Sequence, residues 1–288
     1  MSNALKDLIE ILRPSRIDED RFQGMGSSGD GVDATYGGHF LGQATAAALA
    51  TVDDDRNVHS IHAYFLSGGR PGEPIDYAVE RVRDGRSFCS RRVTASQAGK
   101  VAFEMIASFT VAASGEVIKP DVPVDFDDLP PPESLPRYHD LMAAQDPVPI
   151  AAGWALREHG VDVRVVNAPW SPNGPSSANG IRMWIRANGK MPDDPKLHAA
   201  MLAYQSDESL ADNLLVPSGL TWSSPDVFIV SLDHGMWFHR PVDMNQWHFV
   251  EQRPLTAEGG RGVACGCVWT QGKKLVASFT QEALMRFV

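Results

Sequence analysis

Asp207, Ser231 and Gln281 are the residues whose type and position in this sequence point most directly to chemistry. The string Ala-Ser-Phe-Thr occurs at 107–110 and again at 277–280, an offset of 170 residues. When the two halves of the chain are aligned at that offset, Gln281 falls opposite Val111, Ser231 opposite Ile61 and Asp207 opposite Gly37. A carboxylate, a hydroxyl and an amide that only the second half carries are therefore candidates for a reaction centre.

A neighbouring acid, Glu208, competes with Asp207 for this role. The segment 195–215 has the composition of a long helix, and the two acids lie roughly 50° to either side of the centre of its apolar stripe. A carboxylate at the edge of a buried stripe must be hydrogen-bonded, ion-paired or shifted in pKa, because an isolated buried charge is costly. Helical periodicity does not choose between the two acids.

The glycines of YGGHFLGQ, residues 36–43, are a second candidate feature. They match neither GxGxxG nor GxxxxGK, so no phosphate loop is expected. Exposed N–H groups of Gly37 and Gly38 at a helix start could polarise a carbonyl group. Close packing of the helix is the alternative, and it stays open.

The sequence contains little evidence for a metal site or for a covalent nucleophile. His59 and His62 fall on opposite faces of a predicted strand, as do His234 and His239, and HExxH and GxSxG patterns are absent. The three cysteines lack CxxC spacing, which favours a reducing compartment. We therefore expect neither a metal site nor a covalent nucleophile.

The elements that must position these residues occur twice. A short helix is predicted at 3–12 and an alanine-rich helix from about residue 31 onward, before strands at 59–66, 74–82, 87–97 and 101–111. The strand at 101–111 alternates apolar and polar residues, and a hairpin turn is expected at 97–100. Eight of the twenty prolines then fall between Pro120 and Pro149.

The second set follows this proline-rich stretch. It comprises strands at 161–166 and 181–187, the helix 195–215, and further strands at 227–238, 248–255, 262–271 and 274–285. We interpret the chain as an internal duplication of one helix-plus-sheet unit. The predicted boundaries are 1–113 for the N-terminal unit, 114–160 for a Pro-rich linker and 161–288 for the C-terminal unit with the candidate residues.

Composition limits the partners. The formal net charge is -10 and the pI is near 5.3, which disfavours nucleic acid and anionic membranes. No apolar stretch approaches the ~18 residues of a membrane span, and no signal-peptide pattern opens the chain. We expect a cytoplasmic protein without a membrane span.

Five longer stretches resemble the acyl-CoA thioesterase II family. They are YGGHFLGQA, SIHAYFLSGGRPGEPIDYAVERVRDGRSFCSRRV, WIRANGKMPDD, SLDHGMWFHRP and LVASFTQEALMR, in family order across nearly the whole chain. The resemblance implies an α+β double hotdog fold: two tandem antiparallel sheets, each wrapped around a long central helix. It also implies hydrolysis of acyl-CoA to a free acid and CoA without a cofactor.

Residue roles follow from the same resemblance. Asp207 in the AYxSD pattern, Ser231 before the LDHGMWF pattern and Gln281 in the ASFTQE pattern would orient and activate the attacking water. Ser231 replaces a more frequent Thr, and Ala283 stands where Gly is common. Gly37, Gly38, His62 and Tyr64 are candidate contacts to the acyl-CoA substrate. For the CoA phosphates, the arginines at 81, 83, 86, 91 and 92 form either a binding site or a solvated strand face.

Two other functions stay open. A hotdog hydratase or dehydratase would rely on a His, such as His39 or His62, beside an acid. A non-catalytic acyl-CoA-binding protein would bind the thioester without cleaving it, although the presence of all three candidate residues argues against this. Pairing of hotdog units is satisfied within the chain, and a homo-oligomer is a further alternative.

Overall fold

The computed structural model describes residues 2–26, 34–112, 115, 121–123, 125–143, 158–167, 180–220, 224 and 226–287. In these ranges the helices are α1 (Asn3–Ile11), α2 (Gly37–Leu49), α3 (Tyr138–Ala143) and α4 (Pro195–Gln205). The strands are β1 (Ser15–Asp18), β2 (Arg21–Met25), β3 (Arg56–Phe65), β4 (Pro74–Asp84), β5 (Phe88–Gln97), β6 (Lys100–Val111), β7 (Val161–Val165), β8 (Arg182–Ala187), β9 (Val227–Ser231), β10 (Asp233–Phe238), β11 (His248–Glu258), β12 (Arg261–Thr270) and β13 (Leu275–Phe287).

These strands form one large antiparallel sheet. Its order is β1-β2-β4-β5-β6-β3-β10-β13-β12-β11-β8-β7, with β9 paired to β13. Strands β3 and β10 join the two halves, with Tyr64 opposite Asp233 and Ser60 opposite Trp237. The order reads alike from the centre outward on both sides, as the predicted duplication requires. The two expected sheets are thus hydrogen-bonded into one.

Helices α2 and α4 pack against each other in antiparallel directions. A Cβ atom added to Gly42 would lie 3.0 Å from Tyr204 Cβ and 3.2 Å from the Ala200 carbonyl oxygen. The glycine therefore permits a close approach of the two backbones. Eleven of the thirteen residues of α2 are buried, which explains its richness in alanine.

Helix α4 is shorter than the sequence predicted. Asp194 caps its start by accepting from the Lys196 and Leu197 N–H groups, and Pro195 occupies the first turn. The helix ends at Gln205 instead of residue 215, because the Ser206 hydroxyl bonds back to the Ala203 carbonyl and Ser209 adopts a positive φ of 60°. Two short 3-10 turns, Ala211–Leu214 and Val216–Ser218, follow.

Most other predicted elements are confirmed with small changes at their ends. Helix α1 matches the predicted 3–12, with the Ser2 hydroxyl capping Leu5 N–H at 3.1 Å. The β5–β6 hairpin turns at Ala98 and Gly99, whose φ values of 48° and 77° suit a tight turn. The segment predicted as one strand from residue 227 divides at Leu232 into β9 and β10. None of the described helices is long and apolar enough to cross a lipid bilayer.

The described part of the Pro-rich stretch packs on the second half of the sheet. Phe126 is buried in a cluster with Trp184, Trp247, Phe249 and Trp269. This cluster is separate from the main core, which includes residues of α1, α2, α4 and both halves of the sheet. Residues 114, 116–120, 124 and 144–157 of the predicted linker lie outside the described residues. The predicted unit boundaries stay predictions.

Candidate active site

Gln281 lies at the centre of the candidate site. It is on β13, and its side chain is 1% exposed. Its amide nitrogen Nε2 donates to Asp207 Oδ1 at 2.9 Å and also to the hydroxyl oxygen of Ser231. The structure therefore brings together the three residues that the sequence singled out.

Chemistry fixes the orientation of this amide. The carboxylate of Asp207 only accepts hydrogen bonds when ionised, so the Gln281 group that faces it must be the NH₂ group and not the carbonyl oxygen. Both amide hydrogens are then used, one on Asp207 and one on Ser231. The Ser231 O–H group keeps its own proton, which leaves it able to donate to a third partner.

Three different elements supply the three residues. Asp207 lies in the turn after α4, Ser231 is the last residue of β9, and Gln281 is inside β13. Ser231 lies opposite Ala283, two residues beyond Gln281 along the same strand. Because alternate residues of a strand share a face, Ser231 and Gln281 reach the same side of the sheet.

Glu208 has other partners. Its carboxylate accepts from the Gln205 side chain, and its backbone carbonyl accepts from Gln252 Nε2 at 3.1 Å. The choice between the two acids, which periodicity left open, is decided by this turn: Asp207 is the carboxylate that meets Gln281 and Ser231.

The first turn of α2 closes the site from the other half of the chain. A Cβ atom added to Gly37 would lie 2.7 Å from Asp207 Oδ2 and 2.9 Å from Phe65 Cε1. The absence of a side chain at Gly37 thus lets the helix N-terminus approach the carboxylate. A Cβ atom added to Gly38 would lie 2.4 Å from the Tyr204 carbonyl oxygen, so the absence of a side chain at Gly38 permits the contact between α2 and α4. The partial positive charge of the helix end favours an anion here.

Sequence reasoning missed His234 and Ser206. His234 is 1% exposed, and its Nε2 shares a 2.9 Å hydrogen bond with the Ser206 hydroxyl. Burial lowers the pKa of His234 to about 3, and the nearby Gln281 side chain opposes this shift. A neutral imidazole therefore lies beside the Gln281 side chain, and the Ser206 hydroxyl fixes the position of its ring. The sequence considered His234 only as a metal ligand, and its position in the LDHGMWF motif was the available signal.

His39 lies in an aromatic cluster beside the site. Its ring makes edge contacts with Tyr36 and Tyr204, at centroid distances of 5.7 and 5.3 Å. Burial lowers the pKa of His39 to about 4, with a backbone hydrogen bond to Tyr36 acting in the other direction. This histidine is consequently neutral at pH 7.

His62 and Tyr64 are not brought to the three residues. Both side chains are exposed on β3, and the His62 ring contacts Trp237 at a centroid distance of 5.2 Å. The neighbouring residue Phe65 is partly buried, and its side chain points to the other face of β3, where it contacts Gly37. The two predicted substrate contacts lie on the outer face of the sheet.

The alignment of the two halves at an offset of 170 pairs equivalent residues of β6 and β13, but it does not pair equivalent residues at Ser231 and Asp207. Ala107 and Ala277 lie opposite Ile61 and Phe238, respectively, so Ile61 corresponds to Phe238 and not to Ser231. Gly37 begins a helix and Asp207 follows one, so these two are not equivalent either. The equivalence of Val111 and Gln281 holds. Asp207 and Gly37 matter to each other because they are in contact.

The arginines considered for CoA phosphates are largely engaged within the protein. Arg91 is 2% exposed and donates to Asp84 and to Thr51 at 2.7 and 2.9 Å. Arg81 is paired with Asp20, and Arg92 with Glu80. These contacts fit the alternative of a charged strand face better than a phosphate site.

Comparison with solved structures identifies the class of protein. A protein of unknown function from Alicyclobacillus acidocaldarius, described as having a hot dog fold, superimposes with a TM-score of 0.72 over 100% of both chains at 20% identity. An acyl-CoA thioesterase II from Mycobacterium marinum, TesB2, superimposes with a TM-score of 0.78 at 35% identity over 97% of this chain and 98% of that one. The chain has the hotdog fold, in a large antiparallel sheet with few helices.

Comparison of sequences then gives the family. Residues 156–284 match the family model described as acyl-CoA thioesterase, and residues 27–110 match that of the acyl-CoA thioesterase N-terminal domain. Acyl-CoA thioesterase 2 of Haemophilus influenzae is 34% identical over 100% of this chain and 99% of its own length. Acyl-coenzyme A thioesterase 8 of Homo sapiens is 33% identical over 96% of this chain and 88% of its own. The chain belongs to the acyl-CoA thioesterase II family, and the expectation of a thioester hydrolase is confirmed.

Proposed function

We propose that this protein hydrolyses acyl-CoA thioesters with a water molecule activated by Asp207, Ser231 and Gln281. The observation that carries the proposal is the pair of hydrogen bonds from Gln281 Nε2 to Asp207 and Ser231. They hold a carboxylate and a hydroxyl beside each other, and two such groups can bind one water molecule from two sides. Family membership supplies the substrate class.

The reaction needs a base and no covalent intermediate. The Asp207 carboxylate takes a proton from the water while the water oxygen adds to the thioester carbonyl carbon. The carbon–sulfur bond of the resulting tetrahedral intermediate then breaks. The CoA sulfur leaves as a thiolate and receives the proton that Asp207 carries, so the carboxylate is regenerated.

The other residues hold the geometry. The Ser231 hydroxyl and the Gln281 amide fix the direction of the water and of the carboxylate, which reduces the entropy lost in reaching the transition state. In this proposal the oxyanion is received by backbone N–H groups at the start of α2, at Gly37 and Gly38; the contact of Gly37 with Asp207 and the positive end of the helix dipole support this role.

The substitution Asp207→Asn tests this proposal. We expect its turnover of dodecanoyl-CoA, followed by release of free thiol, to fall by about 10³-fold, the scale of a lost general base. Glu208→Gln is the matched control, since this neighbouring carboxylate is bonded to Gln205 instead, and it should stay within about threefold of the wild type. Equal far-UV circular dichroism shows that both variants fold. Near-normal turnover by Asp207→Asn contradicts the assignment.

A saturated substrate separates this function from the two alternatives. A hydratase leaves a saturated chain untouched because there is no double bond to hydrate. A non-catalytic binding protein retains the thioester and releases no thiol. Thiol release from dodecanoyl-CoA by the wild type is therefore expected only of a thioesterase.

A further inference from the structure

A second pocket lies at the other end of the helix pair. It has a volume of about 350 Å³ and is lined by residues from the end of α2, the start of β3, the end of β6, the start of α4 and the end of β10. Because α2 and α4 are antiparallel and the two halves are alike, this pocket is the counterpart of the candidate active site. In the candidate site the start of α2 meets the end of α4, and here the roles are exchanged.

The counterpart pocket lacks the polar residues of the candidate site. Val111 stands in the place of Gln281. The Thr51 hydroxyl bonds back to the Ala48 carbonyl as the Ser206 hydroxyl does to Ala203, so Val52 stands in the place of Asp207. With a valine at each of these positions, the pocket has no equivalent of the proposed base and cannot perform the same hydrolysis.

The lining of this pocket combines an apolar wall with cations. Val58, Val111, Phe238 and Val242 are among its apolar residues. Arg56, Lys196 and Arg240 supply positive charge, and no Asp or Glu is among the described residues of the lining. This combination is complementary to a ligand with an apolar chain and an anionic head.

The cations indicate how much negative charge the pocket accepts. Arg56 is near Asp53 at 3.8 Å, Lys196 is bonded to Asp54 at 2.8 Å, and Arg240 also has a contact within the protein, so the positive charge of the pocket is partly neutralised. The Arg56 Nη1 atom is buried without a hydrogen-bond partner. A small rotation of the guanidinium group toward a bound anion would give this donor an acceptor. One carboxylate suits this balance better than the several charges of CoA phosphates.

We infer that the second pocket is a non-catalytic binding site for the carboxylate form of a free fatty acid. The ligand class rests on the proposed function, since hydrolysis of acyl-CoA produces such an acid. The apolar wall then holds the acyl chain, and Lys196 and Arg56 hold the head group. The duplicated fold thereby keeps a binding site in the half that carries no base.

Titration calorimetry with sodium dodecanoate tests the inference. We expect the wild type to bind dodecanoate and Val111→Trp, which fills the pocket, to lose this binding. Lys196→Met should weaken it about tenfold, the effect of one lost charge contact at a partly buried site. Arg92→Met is the matched control, because this exposed cation pairs with Glu80 outside the pocket. Lys196→Met also answers the question if Val111→Trp does not fold.

The opposite results are equally informative. Absence of dodecanoate binding, or binding that neither Val111→Trp nor Lys196→Met changes, overturns the inference. A second arm uses dodecanoyl-CoA with Asp207→Asn, which does not consume it: a CoA-ester site that Val111→Trp removes would show that the ligand is the thioester and not the free acid.

The thiol-release assay keeps the two proposals apart. Hydrolysis by the wild type without pocket-dependent dodecanoate binding leaves the proposed function intact and refutes the second site. Dodecanoate binding that depends on the pocket, without hydrolysis by the wild type, supports the second site and refutes the proposed function.

Discussion

The two ends of the α2–α4 helix pair share one architecture and differ in a few side chains. At one end, Gln281 on β13 joins Asp207 and Ser231 below the start of α2. At the other end, Val111 on β6 occupies the position of Gln281 in a pocket below the start of α4. Both ends therefore share the backbone frame, and the proposed chemistry also needs the acid, the hydroxyl and the amide that only one end carries among the described residues.

The helix starts differ as well. Helix α2 begins with Gly37, which lets Asp207 Oδ2 approach the first turn, whereas α4 begins with Pro195 capped by Asp194. The N–H groups of α4 are thus already satisfied by a side chain of the protein. Only the start of α2 combines a missing side chain with a nearby carboxylate from the other half.

Replacing Gln281 by the residue of the first half should have the largest effect on this difference. Gln281→Val removes both hydrogen bonds that hold Asp207 and Ser231 together. We expect kcat/KM for dodecanoyl-CoA to fall by about 10²–10³-fold, as when one donor of a preorganised site is lost. Thr280→Val, on the same strand but facing the outer side, is the control. If Gln281→Val keeps more than a third of the wild-type value, the comparison between the two ends is wrong.

The hydroxyl of Ser231 gives a smaller effect. Ser231→Ala leaves the base and the amide in place but removes one of the groups that direct the water, so we expect kcat to fall about tenfold. Ser231→Thr retains the hydroxyl and should stay within about threefold of the wild type. These two variants separate the role of the hydroxyl from that of side-chain volume. Equal kcat values for Ser231→Ala and Ser231→Thr would refute a role of the hydroxyl.

The contact of Gly37 with Asp207 predicts a further loss of similar or smaller size. Gly37→Ala adds a Cβ atom 2.7 Å from Asp207 Oδ2, so the carboxylate or the helix must move. We expect a fall in kcat of about fivefold, the scale of a small displacement in a positioned group. Gly68→Ala is the control, because its added Cβ would meet nothing nearer than 3.8 Å. An unchanged kcat in Gly37→Ala would show that the helix start does not constrain the carboxylate.

The mildest expected effect concerns the stability of the protein as a function of pH and involves His39 on α2. The pKa of His39 on α2 is lowered to about 4 by burial, below its unfolded value near 6.5. Folding then excludes a proton that the unfolded chain binds, so the contribution of His39 is complete above about pH 6.5 and is lost as the pH falls toward 4.

His39→Phe should remove this dependence. The ring fits among Tyr36 and Tyr204 without titrating. Urea unfolding between pH 6 and pH 4.5 should give a stability slope shallower than that of the wild type by about 1.4 kcal/mol per pH unit. The same slope for both proteins would show that His39 is not buried as described.

Much of this arrangement could be predicted from the sequence. The two-residue period of strand 101–111 and the repeated ASFT string revealed the sheet and its duplication, because alternation and repetition are properties of the sequence itself. The same comparison selected Gln281, whose equivalence to Val111 holds in the structure. It also selected Asp207 and Ser231, although their pairings with Gly37 and Ile61 do not hold, and the resemblance then implied the roles of all three residues.

Other features could not be predicted because they depend on where segments end and meet. The helix predicted to residue 215 stops at Gln205, since the hydroxyl of Ser206 and the left-handed conformation of Ser209 interrupt it. That break turns Asp207 out of the helix and toward Gln281. His62 and Tyr64 were predicted as substrate contacts, yet strand alternation in the final register places them on the outer face. The predicted cytoplasmic location stays a prediction.

The sequence by itself determined the family, the repeated unit and the residue types available for chemistry, because each is written in local patterns and short motifs. Tertiary structure alone decided which acid meets the amide, that the start of α2 closes a site built by the other half, and that a neutral His234 lies beside Gln281. These contacts join residues far apart in the chain. Their geometry is set by the packing of two helices and by the register of the joined sheet, and neither is encoded in any single segment.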